Sequence, residues 1–161
     1  MTDQALVDAV RHSRLAIELS DAQMLALADR LVFRDLKPDE VLVREGKSDN
    51  HLYVIVSGAI GVVRNALTAD RVTLLTLTAG DLVGELSFLD DTPHYASLVA
   101  IGPTRVFGLE REKLESLLLV HPEIVYRVMR AIVRTVHEIQ RRISMQSQEL
   151  TNYIYKQHGK Y

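Results

Sequence analysis

Gly84-Glu85-Leu86-Ser87-Phe88-Leu89-Asp90-Asp91-Thr92-Pro93-His94-Tyr95-Ala96-Ser97 is the stretch on which the reading of this chain turns. Gly84 lets the backbone come close to a bound group. Residues 86–89 suit one short helical turn whose leading N–H groups carry the positive end of the peptide dipoles. Glu85, beside that turn, offers carboxylate oxygens to hydroxyl donors. Together these features describe a clasp for an anion that carries a hydroxylated group. Asp90 and Asp91 lie near Glu85, but two acids before Thr92-Pro93 read as a solvated turn rather than as acid–base machinery.

Around the clasp, residues 32–109 change from helical to strand-like periodicity. Apolar runs at 41–44, 52–56, 59–63, 72–77, 98–100 and 105–109 are separated by turn-forming residues at 37–40, 46–50, 57–58, 66–70 and 102–103. Many short strands at regular spacing predict an antiparallel roll of the jelly-roll kind, set in an α+β chain. The division is N-terminal helices over 1–31, the roll over 32–109 with its clasp at 80–97, and C-terminal helices over 110–161.

Gly-Asp-x-x-Gly-Glu-Leu-Ser at 80–87, followed by Thr-Pro-x-x-Ala-Ser at 92–97, resembles the phosphate-binding cassette of the cyclic nucleotide-binding domains. That family includes bacterial catabolite activators and the regulatory subunits of cyclic-AMP-dependent kinases. The ordered set Gly46, Leu52, Tyr53, Ile55, Gly58 and Ile60 is similar to the family's β-roll, and the likeness covers residues 25–143. It implies that Glu85 binds a ribose hydroxyl. It also implies that Gly84, Leu86, Ser87 and the N–H groups around Ala96 and Ser97 hold a cyclic phosphate. The family pattern has an Arg just before Ala96-Ser97, where this chain has His94 and Tyr95. An Arg grips phosphate with a permanently charged fork, and a His near neutrality does not. Losing such a contact is worth roughly 1.5–3 kcal/mol, so weak or altered cyclic AMP or cyclic GMP binding is the expectation.

The remaining sequence frames this site. Thr2 can cap a helix through about residue 15 with Leu6, Val7 and Val10 on one face. Ser20 and Gln23 form a capping box for a second helix that buries Met24, Leu25, Leu27, Ala28 and Leu31. Residues 110–120 read as a helix with Leu114, Leu117 and Leu118 inward, and Pro122 starts another. In that last helix Val125, Met129, Ile132, Val136, Ile139, Ile143, Gln146, Leu150 and Tyr153 follow alternating steps of four and three. The stalk spans on the order of 45 Å; its first two turns are expected to pack along the chain's own domain, and the rest of the seam predicts a parallel two-stranded coiled coil between identical chains. The family resemblance places Gln146 and Ser147 against the nucleotide base. A mid-seam Gln that fixes register is an equally good reading. Arg142 is the candidate replacement cation, with a surface ion pair to Glu138 or Glu149 as its alternative.

Composition narrows the function classes. The 161 residues carry a net charge of −2 and no cysteine, so there is no basic field for nucleic acid and no thiolate chemistry. The six histidines include no His-x-His pair, which argues against a cupin-type metal site, and no nucleophile elbow, Walker loop or His-Glu-x-x-His is present. The expectation is a non-enzymatic, cytoplasmic ligand-sensing homodimer with no metal or obligatory cofactor. After Tyr155 too few residues remain for a helix-turn-helix, so sequence-specific DNA binding is not expected. The runner-up is a degenerate dimerisation or docking module that binds no nucleotide.

Overall fold

The computed structural model describes residues 3–158. Asp3 opens the first helix, its carboxylate accepting from the Ala5 N–H at 2.9 Å; the expected cap, Thr2, lies outside the described residues. Helix α1 (Gln4–Arg11) stops well before residue 15. There the Ser13 hydroxyl donates to the Val10 carbonyl at 2.7 Å and accepts from Leu15 N–H at 3.2 Å. This local bonding competes with helix continuation and leaves a 3₁₀ turn at Arg14–Glu18. Helix α2 (Asp21–Ala28) starts with the Ser20–Gln23 capping box intact. Leu25, expected inside, is exposed, and Leu31 belongs to the next strand instead.

Six strands follow: β1 (Leu31–Leu36), β2 (Val41–Val43), β3 (His51–Arg64), β4 (Val72–Thr78), β5 (Leu82–Val83) and β6 (Ser97–Glu110). All pairings are antiparallel in the order β1-β6-β3-β4, with β2 on β6 and β5 on β3. β1 and β5 carry no separate signal in the sequence reading. The four runs expected as separate strands at 52–56, 59–63, 98–100 and 105–109 are two continuous strands. The supposed turn at Ser57-Gly58 is a bulge, where the register against β6 shifts on both sides of Ser57. Gly58 sits at φ +83°, and a Cβ there would come within 2.5 Å of the Pro103 carbonyl oxygen. A bare backbone is therefore required where the two long strands cross.

Period-2 alternation sends the faces of β3 and β6 into two cores. Leu52, Val54, Phe107 and Leu109 pack against the N-terminal helices and the early part of the last helix. Tyr53, Ile55, Leu98, Ala100 and Val106 fill the roll. Helix α3 (Glu85–Asp90) is pinned to the first core by Phe88. Helix α4 covers only Arg111–Glu115; Leu114 and Leu117 are buried, and Leu118 is exposed in the turns that follow.

Helix α5 runs from Pro122 to His158, 37 residues and ~55 Å. Ile124, Val125, Val128, Ala131 and Ile132 seat its first part on the core. The 3₁₀ turn clamps this part. Glu18 pairs with Arg130 at 3.2 Å and Arg134 at 2.9 Å, and its carbonyl accepts from Arg127 at 2.8 Å. Arg14 bridges Asp81, at 2.9 Å, and Glu138. Val125 and Ile132 therefore face the chain's own core and do not lie in an open seam. The open apolar stripe keeps Met129, Ile143 and Leu150 of the expected seam and adds Tyr126, Val133 and Ile154. The side chain of Tyr153 lies outside the described residues.

Candidate functional site

β5 delivers the chain into Gly84, which takes φ +80° and forms the N-cap of α3. A Cβ at that position would meet the His51 carbonyl oxygen at 3.3 Å and the His94 and Tyr53 rings at 3.7 Å. Glycine thus lets α3 begin tight against β3. The free N–H end of α3 faces a cleft lined by Val62, Leu77, Glu85, His94, Tyr95 and Ile139, among others. Its interior is ≈ 50 Å³, room for one or two waters at ~30 Å³ each.

Glu85 lies in this cleft with its carboxylate turned back on its own amide, and burial pushes its pKa up. A carboxylate whose folded pKa is raised favours the fold while protonated and loses that contribution as pH rises through the folded value. At neutrality Glu85 is therefore held at some expense to stability. Tyr95, half exposed, is near enough for Glu85 to push its phenol pKa up together with burial.

His94 stands where the resemblance expects an Arg. Its backbone is fixed to the 46–47 loop: the Gly46 N–H donates to its carbonyl at 2.7 Å, and its own N–H donates to the Lys47 carbonyl at 2.8 Å. Its Nε2 is buried without a hydrogen-bond partner. Desolvation lowers its pKa below 6.5, with Asp49 opposing, so at pH 7 the ring is neutral. The lining of the cleft contains no Lys or Arg among the described residues.

The other expected site residues separate into two groups. Leu86 lines the cleft. Ser87 is buried, and its hydroxyl accepts from the Asp49 N–H at 2.7 Å. Ser97 similarly accepts from the Glu45 N–H at 2.9 Å, while Ala96 packs inside the roll. Each hydroxyl thus spends one lone pair on tying the scaffold to the 45–49 loop. Arg142, Gln146 and Ser147 are exposed on α5 beyond Ile139, the one α5 residue in the cleft wall. Gln146 sits seven residues past Ile139, about 10 Å farther along the axis. Among the described residues Arg142 neither lines the cleft nor pairs with a carboxylate, and Glu138 pairs with Arg14 instead.

Sequence reading missed Asp49. Its carboxylate accepts from the His51 backbone N–H and meets His51 Nδ1, both at 2.9 Å, and accepts from the Tyr53 hydroxyl at 3.1 Å. An Asp just before a strand is the residue type that caps such a turn, but nothing local signals its reach to Ser87.

Comparison with known proteins agrees with this architecture. The family model described as "Cyclic nucleotide-binding domain" matches residues 33–121. The CRP-like cAMP-activated global transcriptional regulator of Mycobacterium tuberculosis is 29% identical over 109 residues, 68% of this chain and 49% of the relative. The cAMP-dependent protein kinase regulatory subunit of Dictyostelium discoideum is 31% identical over 98 residues, 59% of this chain and 30% of the relative. The chain thus spans half or less of the length of these curated relatives. A solved cyclic nucleotide-binding domain from Methylobacillus flagellatus superposes with a TM-score of 0.77 at 23% identity, covering 88% of this chain and 82% of that one. With the model match spanning more than half of its length, the chain belongs to the cyclic nucleotide-binding domain family.

Proposed function

We propose that this protein is a homodimeric ligand-sensing module. In this reading the roll over 32–109, with its cassette at 80–97, binds cyclic AMP, cyclic GMP or a related anion weakly or in altered fashion, and helices over 110–161 carry the response. The observation that supports it most is a cassette whose backbone is kept and whose cation is absent. Gly84 and Glu85 frame the cleft, while the neutral His94 ring and Tyr95 occupy the Arg position. The relatives named above are described as cAMP-activated or cAMP-dependent, which sets the ligand class to try first. In a dimer, a neighbouring stalk would bring Gln146 or Ser147 toward a base that the chain's own helix does not reach. The output is regulatory, not catalytic.

The test is a thermal-shift panel of cyclic AMP, cyclic GMP, cyclic dinucleotides and simple phosphates on the native chain and on Glu85→Gln. A ligand at about a hundred times its dissociation constant adds ~2.7 kcal/mol, and this stabilisation is expected for at least one cyclic nucleotide. Glu85→Gln should melt higher without ligand at pH 7, by about 2–4 °C, and lose the ligand-induced shift. No shift with any nucleotide would favour the second reading, a non-binding dimerisation module. The narrow cleft closed by Tyr95 and Ile139 supports that alternative.

Dimerisation is tested separately. Val133 is exposed in the open stripe, so Val133→Glu should leave the melting temperature within a few degrees. In sedimentation equilibrium the same variant should weaken self-association by roughly a hundredfold, since each subunit would bury an unpaired carboxylate. A native chain that sediments as a monomer would reject the dimer.

A further inference from the structure

On the opposite side of Tyr53 from the cassette, the sheet carries a second cavity, of ≈ 300 Å³. Its walls come from the end of the α2 connection, β1, the start of β3, the end of β6 and α4. They bring together Arg30, Arg34, His51 and Lys113, with Glu110 as the one acid in the lining. The floor is open because residue 108 is glycine: a Cβ there would lie 3.2 Å from the Tyr53 ring and 3.6 Å from His51 Cδ2. Among the described residues, Lys113 forms no ion pair, and the Arg30 guanidinium contacts only the Ala26 carbonyl, at 2.8 Å. Arg34 shares a surface contact with Glu40 at 3.5 Å. The lining thus presents Arg30, Arg34 and Lys113 against Glu110, with Glu40 on Arg34 and Asp49 on His51 at its edges, in a chain whose net charge is −2. We propose that this cavity is a second ligand site that takes a small phosphomonoester, its phosphoryl group held by Arg30, Arg34 and Lys113 against His51. A phosphomonoester carries about two negative charges and three acceptor oxygens, matching the surplus of donors, and the volume accepts its small organic remainder.

The site is joined to the cassette through one residue. Asp49 holds His51 and the Tyr53 hydroxyl with its carboxylate, and its N–H donates to Ser87 inside α3. A phosphoryl group against His51 adds negative charge beside the ring that this carboxylate holds, so occupancy is felt through Asp49 at Ser87. The proposal does not rest on nucleotide binding at the cassette, and its test reads the two sites apart through His51 and His94.

Inorganic phosphate is titrated into the Glu85→Gln chain, and the histidine ring and Asp49 amide resonances are followed by NMR, with chloride at matched ionic strength as control. Saturable shifts of His51 and of the Asp49 amide are expected. An Arg30→Ser, Lys113→Ser double variant with an unchanged melting temperature should weaken that titration by roughly tenfold or more, as loss of two charge-assisted contacts requires. Absence of a saturable His51 shift, a response at His94 without one at His51, or an unaltered affinity in the double variant would each overturn the proposal.

Discussion

Replacing His94 by Arg raises the affinity for cyclic AMP by roughly ten- to a hundredfold in calorimetric titration at pH 7, equivalent to the ~1.5–3 kcal/mol of one charged hydrogen-bonding contact. The backbone at 94 is already clamped by Gly46 and Lys47, and the ring it carries reaches Gly84, so the new side chain starts from a fixed position and need not reorganise the loop. The gain comes from a charge that native His94 lacks at neutrality, because desolvation lowers its pKa below 6.5. Two pH signatures accompany it. Anion affinity of the native chain should rise as pH falls below the ordinary His range and be flat in His94→Arg. Unliganded stability moves the other way. A His with a lowered folded pKa stabilises the fold above its unfolded value and loses that contribution as pH drops through 6.5 toward the folded value. His94→Gln should therefore soften the acid-side decline in melting temperature. Equal affinity of His94→Arg and native protein would refute this account of the cassette.

Phe88→Ala should lose ~3–5 kcal/mol in denaturant unfolding, the range for emptying a large buried aromatic. Phe88 is fully buried in the cluster that also contains Leu52, Phe107 and Leu117. Helix α3 has six residues, too few to hold its shape alone. Its position depends on Phe88 and on the Ser87–Asp49 bond. The variant should accordingly lose any ligand-induced thermal shift even at temperatures where it remains folded, whereas Phe88→Leu should restore most of both. A loss below ~1 kcal/mol would mean that α3 is held by something else.

The parts of this fold that were legible are those written in local chemistry. Ser20 and Gln23 make their capping box because both partners lie within one helical turn. Gly84 and Glu85 show themselves because a left-handed residue before a short helix has few sequence solutions. What escaped was decided by distant atoms. Ser57-Gly58 and Gly102-Pro103 look like turns, yet each lies inside a long strand, because β3 and β6 cross closely enough to need Gly58 bare. On α5 two apolar faces run side by side, and the seam read through Met129, Ile143 and Leu150 is open while its first positions are not. One contains Val125 and Ile132 and serves the core; the other contains Tyr126 and Val133 and faces out. A period of three and four residues fits both. The bonds that Ser87 and Ser97 accept from the Asp49 and Glu45 amides were not legible either, because those amides lie 38 and 52 residues earlier in the chain.

The Arg14 fork holds Asp81 and Glu138 together, tying the first turn of the cassette to the middle of α5. Twenty residues, ~30 Å of helix, extend past Glu138. With Glu138 as fulcrum, a tilt of roughly 5° displaces the distal end by ~2–3 Å. A disturbance at residue 81 too slight to alter the roll would therefore reach the tip as a movement comparable to the width of an atom.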